Sequence, residues 1–566
     1  MGASKSKEDA PAAEAGAEPD KAPSSVSSEV DEDPPDNGAF YCSLCNWIGT
    51  MYDRFDKAFV TFFILQNINH GLWIIAVLAV KDYYKEYLGL DPGEMAIYIS
   101  IIHIPWSFKI VYGLISDNVP LFGTRRKSYL IIMGIIQFLT LFSLYAFEFD
   151  DPLVVAILLA FASMSEAFTN VVSDAIMVIQ SRKDKKFGSQ DFITLLYLST
   201  GTGGALGCII AGIMTEYFHP KWSFYLYSFN GVVISFAACF LTRKSEKDAH
   251  TREVTSSEQS TELEDYEIEQ RRLMVREGVD PREARNTPVP KRKGFCFDLK
   301  QNCRQIGKAV CMREIYQLVI FFILLATINP AFSEFSYFFL LDVIGISKFM
   351  FSMLVLIGQL CHIVGALIYK AFCRNVDTRT MVLCSFITTI ISNFLNFCFA
   401  KRWNLGWGIP DIVFLLFTDN VFAIIGTLLY TLPIMALFAK ITPKKIEGTT
   451  YAFLTGTMNL GSTVISPGIG TFINSQWVGV KKKDLSNYST LVLISLICSI
   501  VSLALLPLIP SKKNVKEWVT KREAADVIIR KTRKERRAAK RKEDEAAGLI
   551  DPVDDEVPPA APADYE

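Results

Sequence analysis

Several ionisable side chains of this sequence stand inside long apolar runs, where chemistry is expensive and therefore informative. Lys109, Glu166, Asp174, Glu334 and Asp419 sit in such runs, and His70 lies in the first of them. Placing one charge in hydrocarbon costs about 2.5–3.5 kcal/mol on insertion scales, so each is expected to have a partner or a task. A carboxylate in that setting can pair with a cation, hold a cationic group of a solute, or accept a proton. Glu166, nearly midway along its run, is the foremost candidate for substrate or proton coupling, and Lys109, Asp174, Glu334 and Asp419 join it. Lys109 lies eight residues before Asp117, and Asp174 eight before Arg182. At 1.5 Å per residue, both sit roughly 12 Å from the same end of their helices. The matched depth suggests an ion pair, either a static bridge or a coupling element. For His70 an interhelical hydrogen bond is the simpler reading, ahead of proton relay.

The elements that must position these groups follow from the apolar runs themselves. A bilayer core takes about 20 apolar residues per helix. Candidate spans fall near 58–80, 93–116, 128–147, 153–180, 191–214 and 221–241, then near 315–341, 347–371, 379–400, 409–439, 447–474 and 488–509. The expectation is an all-α membrane protein of twelve transmembrane helices in two six-helix bundles, a layout known from the major facilitator architecture. An outer-membrane barrel is excluded, since its strands would be short alternating segments. The expected organisation is a disordered cytosolic tail over 1–50, a first bundle over 51–245, a cytosolic linker over 246–312, a second bundle over 313–510 and a charged cytosolic tail over 511–566. The formal net charge of -1 conceals an acidic N-terminus and a basic segment near the C-terminus.

Orientation comes from bases in short loops. Arg125, Arg126 and Lys127 lie between the second and third runs, and Arg182, Lys183, Lys185 and Lys186 between the fourth and fifth. The loop after the third run carries Glu148, Asp150 and Asp151 instead. Both termini are therefore expected in the cytosol, with the plasma membrane as the leading location. Lys481, Lys482 and Lys483 fall on the opposite side and run against the rule.

The segment Gly113-Leu-Ile-Ser-Asp117, continuing through Gly123 to Arg125 and Arg126, resembles the major facilitator signature with a longer turn before its second glycine. Gly113 would let two helices approach closely, and Asp117 at a helix end would pair with bases in one conformation and release them in another. Gly113, Asp117, Gly123, Arg125 and Arg126 are the expected gating residues. A narrower resemblance rests on Pro105-Trp106-Ser-Phe-Lys109 leading into Tyr112-Gly113, on Arg125 through Leu130, on Pro330 through Phe338 with Gly345-Ile-Ser347, and on Pro443 through Thr449 with Asn459-Leu460-Gly461. These stretches are similar to the folate-biopterin transporter family, in family order, from about 58 to 510. The resemblance implies a secondary active transporter working by alternating access on a folate, pterin or related small organic metabolite, with proton symport open to its carboxylates. Where that family commonly shows two acidic residues on the fourth span, Asn170-Val-Val-Ser-Asp174 keeps only the second. A transporter-like receptor or scaffold without net transport is the alternative.

Small residues mark expected seams at Gly203 and Gly207, and at Ser462, Ser466 and Gly470. Trp106, Phe335, Tyr337 and Phe338 could stack on a flat ring, although lipid-facing packing is commoner. The sequence carries no phosphate-binding glycine loop of the ATPase type and no H-E-x-x-H pair, which argues against an ATP-driven pump and against an enzyme. The twelve cysteines lie mostly in apolar runs or in segments expected in the cytosol, and the isolated Cys42/Cys45 pair has no second pair at metal spacing, so no metal and no cofactor is expected. Met1-Gly2-Ala-Ser-Lys-Ser6 fits a myristoylation pattern. The basic stretch from Lys531 to Lys542 suits anionic lipid, and nucleic acid is not an expected partner.

Overall fold

The apolar runs become helices because hydrocarbon offers no partner for a backbone N–H or C=O, and a helix satisfies both internally. The computed structural model describes residues 40–119, 126–181, 188–239, 310–368, 376–441 and 447–518, with short pieces between and beyond. In the first half, α1 is Phe40–Arg54, α2 Lys57–Leu72, α3 Ile74–Asp82, α4 Pro92–His103 and α5 Lys109–Asn118. They are followed by α6 Lys127–Ala146, α7 Pro152–Ser181, α8 Gly188–Tyr217 and α9 Pro220–Cys239. The second half opens with α10 Arg313–Ile328, α11 Ser333–Phe338, α12 Lys348–Ile368 and α13 Thr378–Ala400. After these come α14 Trp403–Gly406, α15 Asp411–Leu415, α16 Ala423–Ile441, α17 Glu447–Leu460, α18 Ser466–Ile473 and α19 Tyr488–Val501. Each run read from the sequence is mostly helical over its described residues, with interruptions such as the turn at Trp73 and the open stretch 329–332. Among the described residues, seven helical stretches are long and apolar enough to cross a membrane, and an eighth joins them if the bent pair α10 and α11 counts as one.

Breaks within runs have local causes. Between α4 and α5 the chain tightens into a 3-10 turn, Ile104–Phe108, where Pro105 has no N–H to give to the helical ladder. Between α10 and α11 it bends by 40° at Asn329-Pro330. The two halves also share a device that the sequence did not announce. After α3 comes a π-turn, Tyr83–Tyr87, and after α11 another, Phe339–Val343. Each is closed by a glycine at positive φ, Gly89 at 66° and Gly345 at 78°, a backbone state that only glycine adopts without strain. The hydrogen bonds match position for position: Leu88 N–H to Tyr83 O and Leu90 N–H to Tyr84 O, against Ile344 N–H to Phe339 O and Ile346 N–H to Leu340 O.

Glycine sets the closest crossings. A Cβ on Gly203 would stand 2.1 Å from the Ile68 carbonyl oxygen and one on Gly71 2.2 Å from that of Thr200, so α2 and α8 touch backbone to backbone. Gly134 and Gly231 do the same for α6 and α9, and Gly470 for α18 against the Ala331 carbonyl. The expected seams at Gly203, Gly207 and Gly470 are thus sites of tight approach, whereas Ser466 acts through its hydroxyl, which donates to the Asn329 carbonyl. Gly203→Ala should lower stability by about 1–3 kcal/mol through overpacking, while Gly468→Ala, where nothing lies within 4 Å, should leave it unchanged or slightly raised. Thermal unfolding of the purified protein in detergent measures both.

Candidate functional site

The fourth run, α7, carries its polar residues on one stripe, and the neighbouring helices answer it. Glu166 is fully buried. Its Oε2 accepts from Asn69 Nδ2 on α2 at 3.1 Å and from Gln137 Nε2 on α6 at 3.3 Å. Its Oε1 lies 3.4 Å from His70 Nδ1, an ion-pair distance that lacks the alignment of a hydrogen bond. Close by, Gln66 Nε2 donates to Thr169 Oγ1 at 2.9 Å. Helical spacing explains the match: residues three and four apart share a face, so 66, 69 and 70 on α2 can meet 166 and 169 on α7.

The 3-10 break delivers the second group of residues. Lys109 starts α5, and its Nζ donates to Asn170 Oδ1 at 2.8 Å while standing 4.5 Å from the centroid of the Trp106 ring. The other neighbour of that ring is His70, at 5.1 Å between centroids. One turn beyond Asn170, Asp174 has a buried Oδ1 with no hydrogen-bond partner among the described residues. It lies within electrostatic reach of Lys109 and His70, of Tyr197 on α8 and of Tyr451 on α17 in the second half. From that half, Asn459 Nδ2 donates to the Trp106 carbonyl at 3.5 Å, and the Cβ missing from Gly456 would be 2.8 Å from that of Ser107.

Some expectations change here. The direct ion pair of Lys109 with Asp174 is not formed in this conformation; the lysine reaches Asn170, one turn earlier on the same face of α7. Gly113 faces α7, but an added Cβ would meet Val171 at an ordinary 3.7 Å, so this glycine is not a forced close approach. Glu334 is not part of the cluster: its Oε2 pairs with Lys81 Nζ at 3.0 Å, near the far end of the first run. Arg126 is buried. Gly123 and Arg125, and the side chains of Asp117 and Asp419, lie outside the described residues. Phe335 and Phe338 are fully buried; the Tyr337 and Phe338 rings lie 5.5 and 5.3 Å from the Lys81 and Lys85 ammoniums, and Trp106 stands beside Lys109. The amides Gln66, Asn69 and Gln137 went unnoticed in the sequence, and Asn170 was read only as the place of a missing acidic residue. Their signal was an amide inside an apolar run, which carries no charge but needs a partner just as much.

This is the architecture of a membrane transporter. Its fold, over 80% of the chain, is similar to that of a single-site variant of the nucleoside transporter NupG, with a TM-score of 0.57, 13% identity and all of that chain covered. Residues 70–527 match the profile of the BT1 family, and the chain belongs to that family. It is 23% identical over 457 residues to the folate-biopterin transporter of Synechocystis sp., covering 81% of this chain and 83% of the relative. It is 22% identical over 451 residues to folate transporter 1 of Plasmodium falciparum, covering 79% of each. The family is one of integral membrane transporters, not of enzymes.

Glu166 holds two amide donors that have no water to turn to. Glu166→Leu should therefore cost roughly 2–4 kcal/mol, because buried donors left unpaired lose their full desolvation compensation. Glu166→Gln keeps the shape and one acceptor and should lose less than half as much. Thermal unfolding midpoints of the two variants, side by side, test the ordering.

Proposed function

We propose that this chain is a secondary active transporter that carries a folate, a pterin or a related small organic metabolite by alternating access. The observation that carries the reading is Lys109 poised over the Trp106 ring near Asp174, whose buried Oδ1 has no hydrogen-bond partner among the described residues, at a place where the two halves meet. A flat heteroaromatic ring can stack on Trp106, its amino and ring N–H groups can donate to Asp174, and a carboxylate side chain can pair with Lys109. The names of the relatives from Synechocystis and Plasmodium falciparum support the same class of cargo.

The reading takes the helical runs as twelve spans in two six-helix bundles, 51–245 and 313–510, with the linker 246–312 and the tails 1–50 and 511–566 in the cytosol. The plasma membrane is the location it favours, with the basic stretch after Lys531 held near anionic lipid. Asp117, Gly123, Arg125 and Arg126, with Gly113, serve as the cytosolic gate. For proton coupling, Glu166 has one oxygen held by two amides and the other beside His70, while Asp174 stands where the two halves meet, so Asp174 is taken as the acceptor; Asp419 and Glu334 would act in the second half.

Sealed proteoliposomes test this directly. Labelled folate or biopterin should accumulate, and more strongly when the side of entry is acid. Asp174→Asn should abolish that dependence, and Trp106→Ala should cut uptake at least about tenfold, the value of 1.4 kcal/mol of lost binding, with normal insertion. A protein that binds either compound without filling the vesicles would be a receptor, and transport would be refuted.

A further inference from the structure

The second half brings Tyr451 of α17 to the cluster around Asp174, and the binding reading above gives it no task. Two contacts fix where it stands. Asn459 Nδ2 donates to the Trp106 carbonyl, and Gly456 lets α17 close on the Ser107 carbonyl. The later residue of α17 meets the earlier residue of the 3-10 turn, so α17 runs antiparallel to α5. From Gly456 back to Tyr451 the helix covers about 8 Å, and on α7 the path from Asn170, the partner of Lys109, to Asp174 covers about 6 Å in the same direction. Phenol and carboxylate therefore arrive at similar depth. They lie within electrostatic reach of one another and of Tyr197 on α8.

The Tyr451 hydroxyl holds a weak partner. It donates to Met435 Sδ at 3.3 Å, and a thioether is among the weakest acceptors a protein offers. An oxygen arriving beside it would take that hydrogen with little lost in exchange. Nearby, the buried Oδ1 of Asp174 has no hydrogen-bond partner among the described residues. A donor from one half and an acceptor from the other thus stand together, neither committed to a strong bond.

We infer that Tyr451 is a specificity-determining residue whose hydroxyl reads an oxo group next to the N–H donors that Asp174 takes. The inference rests on the transport reading above and narrows its cargo to rings that carry this edge. In folate and biopterin the 4-oxo group adjoins the ring N–H and the 2-amino group. A carboxylate that accepts from those two donors leaves the oxo oxygen projecting beside it, and that oxygen needs a donor of its own. Lys109 is held by Asn170 and by the face of Trp106. Tyr451 has the hydrogen that leaves its present partner at least cost. Such a site discriminates well, because a solute without the oxo group strands a buried donor.

Binding of labelled folate and of its 4-deoxo analogue to the full chain in detergent tests this. The unaltered protein should prefer folate. Tyr451→Phe should shrink that preference about fivefold, the worth of one hydrogen bond, and leave the thermal unfolding midpoint unchanged. Met435→Leu, which frees the hydroxyl, should hold or raise the affinity for folate. A purely structural phenol predicts the reverse pattern: Tyr451→Phe would lower the midpoint, weaken both ligands alike and keep the preference, and that result would overturn the inference. So would a preference lost on Tyr197→Phe but kept on Tyr451→Phe, which would put the donor in the first half. If folate binds and the preference survives Tyr451→Phe, this inference alone falls. If the unaltered protein binds neither folate nor biopterin, the cargo reading fails and the inference falls with it.

Discussion

A polar group that leaves water inside an apolar slab must find its partner within the chain, and the architecture of the first half follows from that requirement. Glu166 needs donors, and the structure provides Asn69 from α2 and Gln137 from α6. Those amides reach it because α2 and α6 both pack on α7, and α2 is itself fixed by its glycine crossings with α8. Remove the carboxylate, and the rotation of two helices loses its reason. The same requirement explains why Lys109 settles on Asn170: a buried ammonium takes the nearest good acceptor, and a neutral amide oxygen serves when the carboxylate stands a turn away.

The spans were legible in the sequence because hydropathy summed over about 20 residues is a strong signal that no single residue can spoil. What escaped was shorter in range. The first run was cut at residue 80, since Lys81 and Asp82 end an apolar window, yet the helical path continues through Tyr87 because each charge meets its opposite on the other half. Within the binding cluster, Lys109, Glu166 and Asp174 could be named from their type and depth. Their partners could not, since Asn170 and Asp174 share one face of α7 a turn apart, and the 3-10 turn after His103, with its longer rise per residue, shifts the depth at which Lys109 meets that face. Amides were overlooked for a related reason: hydropathy treats them as mild, although burial makes them as demanding as hydroxyls.

Two kinds of interface therefore coexist in one chain. Inside the first half, backbones touch at Gly71, Gly203, Gly134 and Gly231, leaving no room for adjustment. Between the halves, ion pairs such as Lys81–Glu334 and Lys348–Asp82 stand beside a shared apolar cluster, with Met95 and Ile102 against Phe335 and Phe338 among it, and beside a further glycine approach, Gly456 against the Ser107 carbonyl. Trp106, Lys109 and Asp174 lie close to the second division and are held by the first, which fits a binding site that stays formed while its surroundings rearrange.

The π-turns carry a consequence for how this chain can change over evolutionary time. A π-turn holds one residue more per loop than the α-helix around it, so deleting one residue from Tyr83–Tyr87 would let the segment relax into ordinary helix. The wide loop that carries Lys85 and leads to Gly89 would then be lost, while Lys81 and Asp82, which precede it, would keep their places. Lys85 and Asp91 would lose their set distances from Asp342 and Lys482, even though each remained present. Substitutions in this stretch can be compensated by substitutions opposite; a change of length cannot. The count of residues from Lys81 to Asp91, and from Phe339 to Lys348, is held by this geometry.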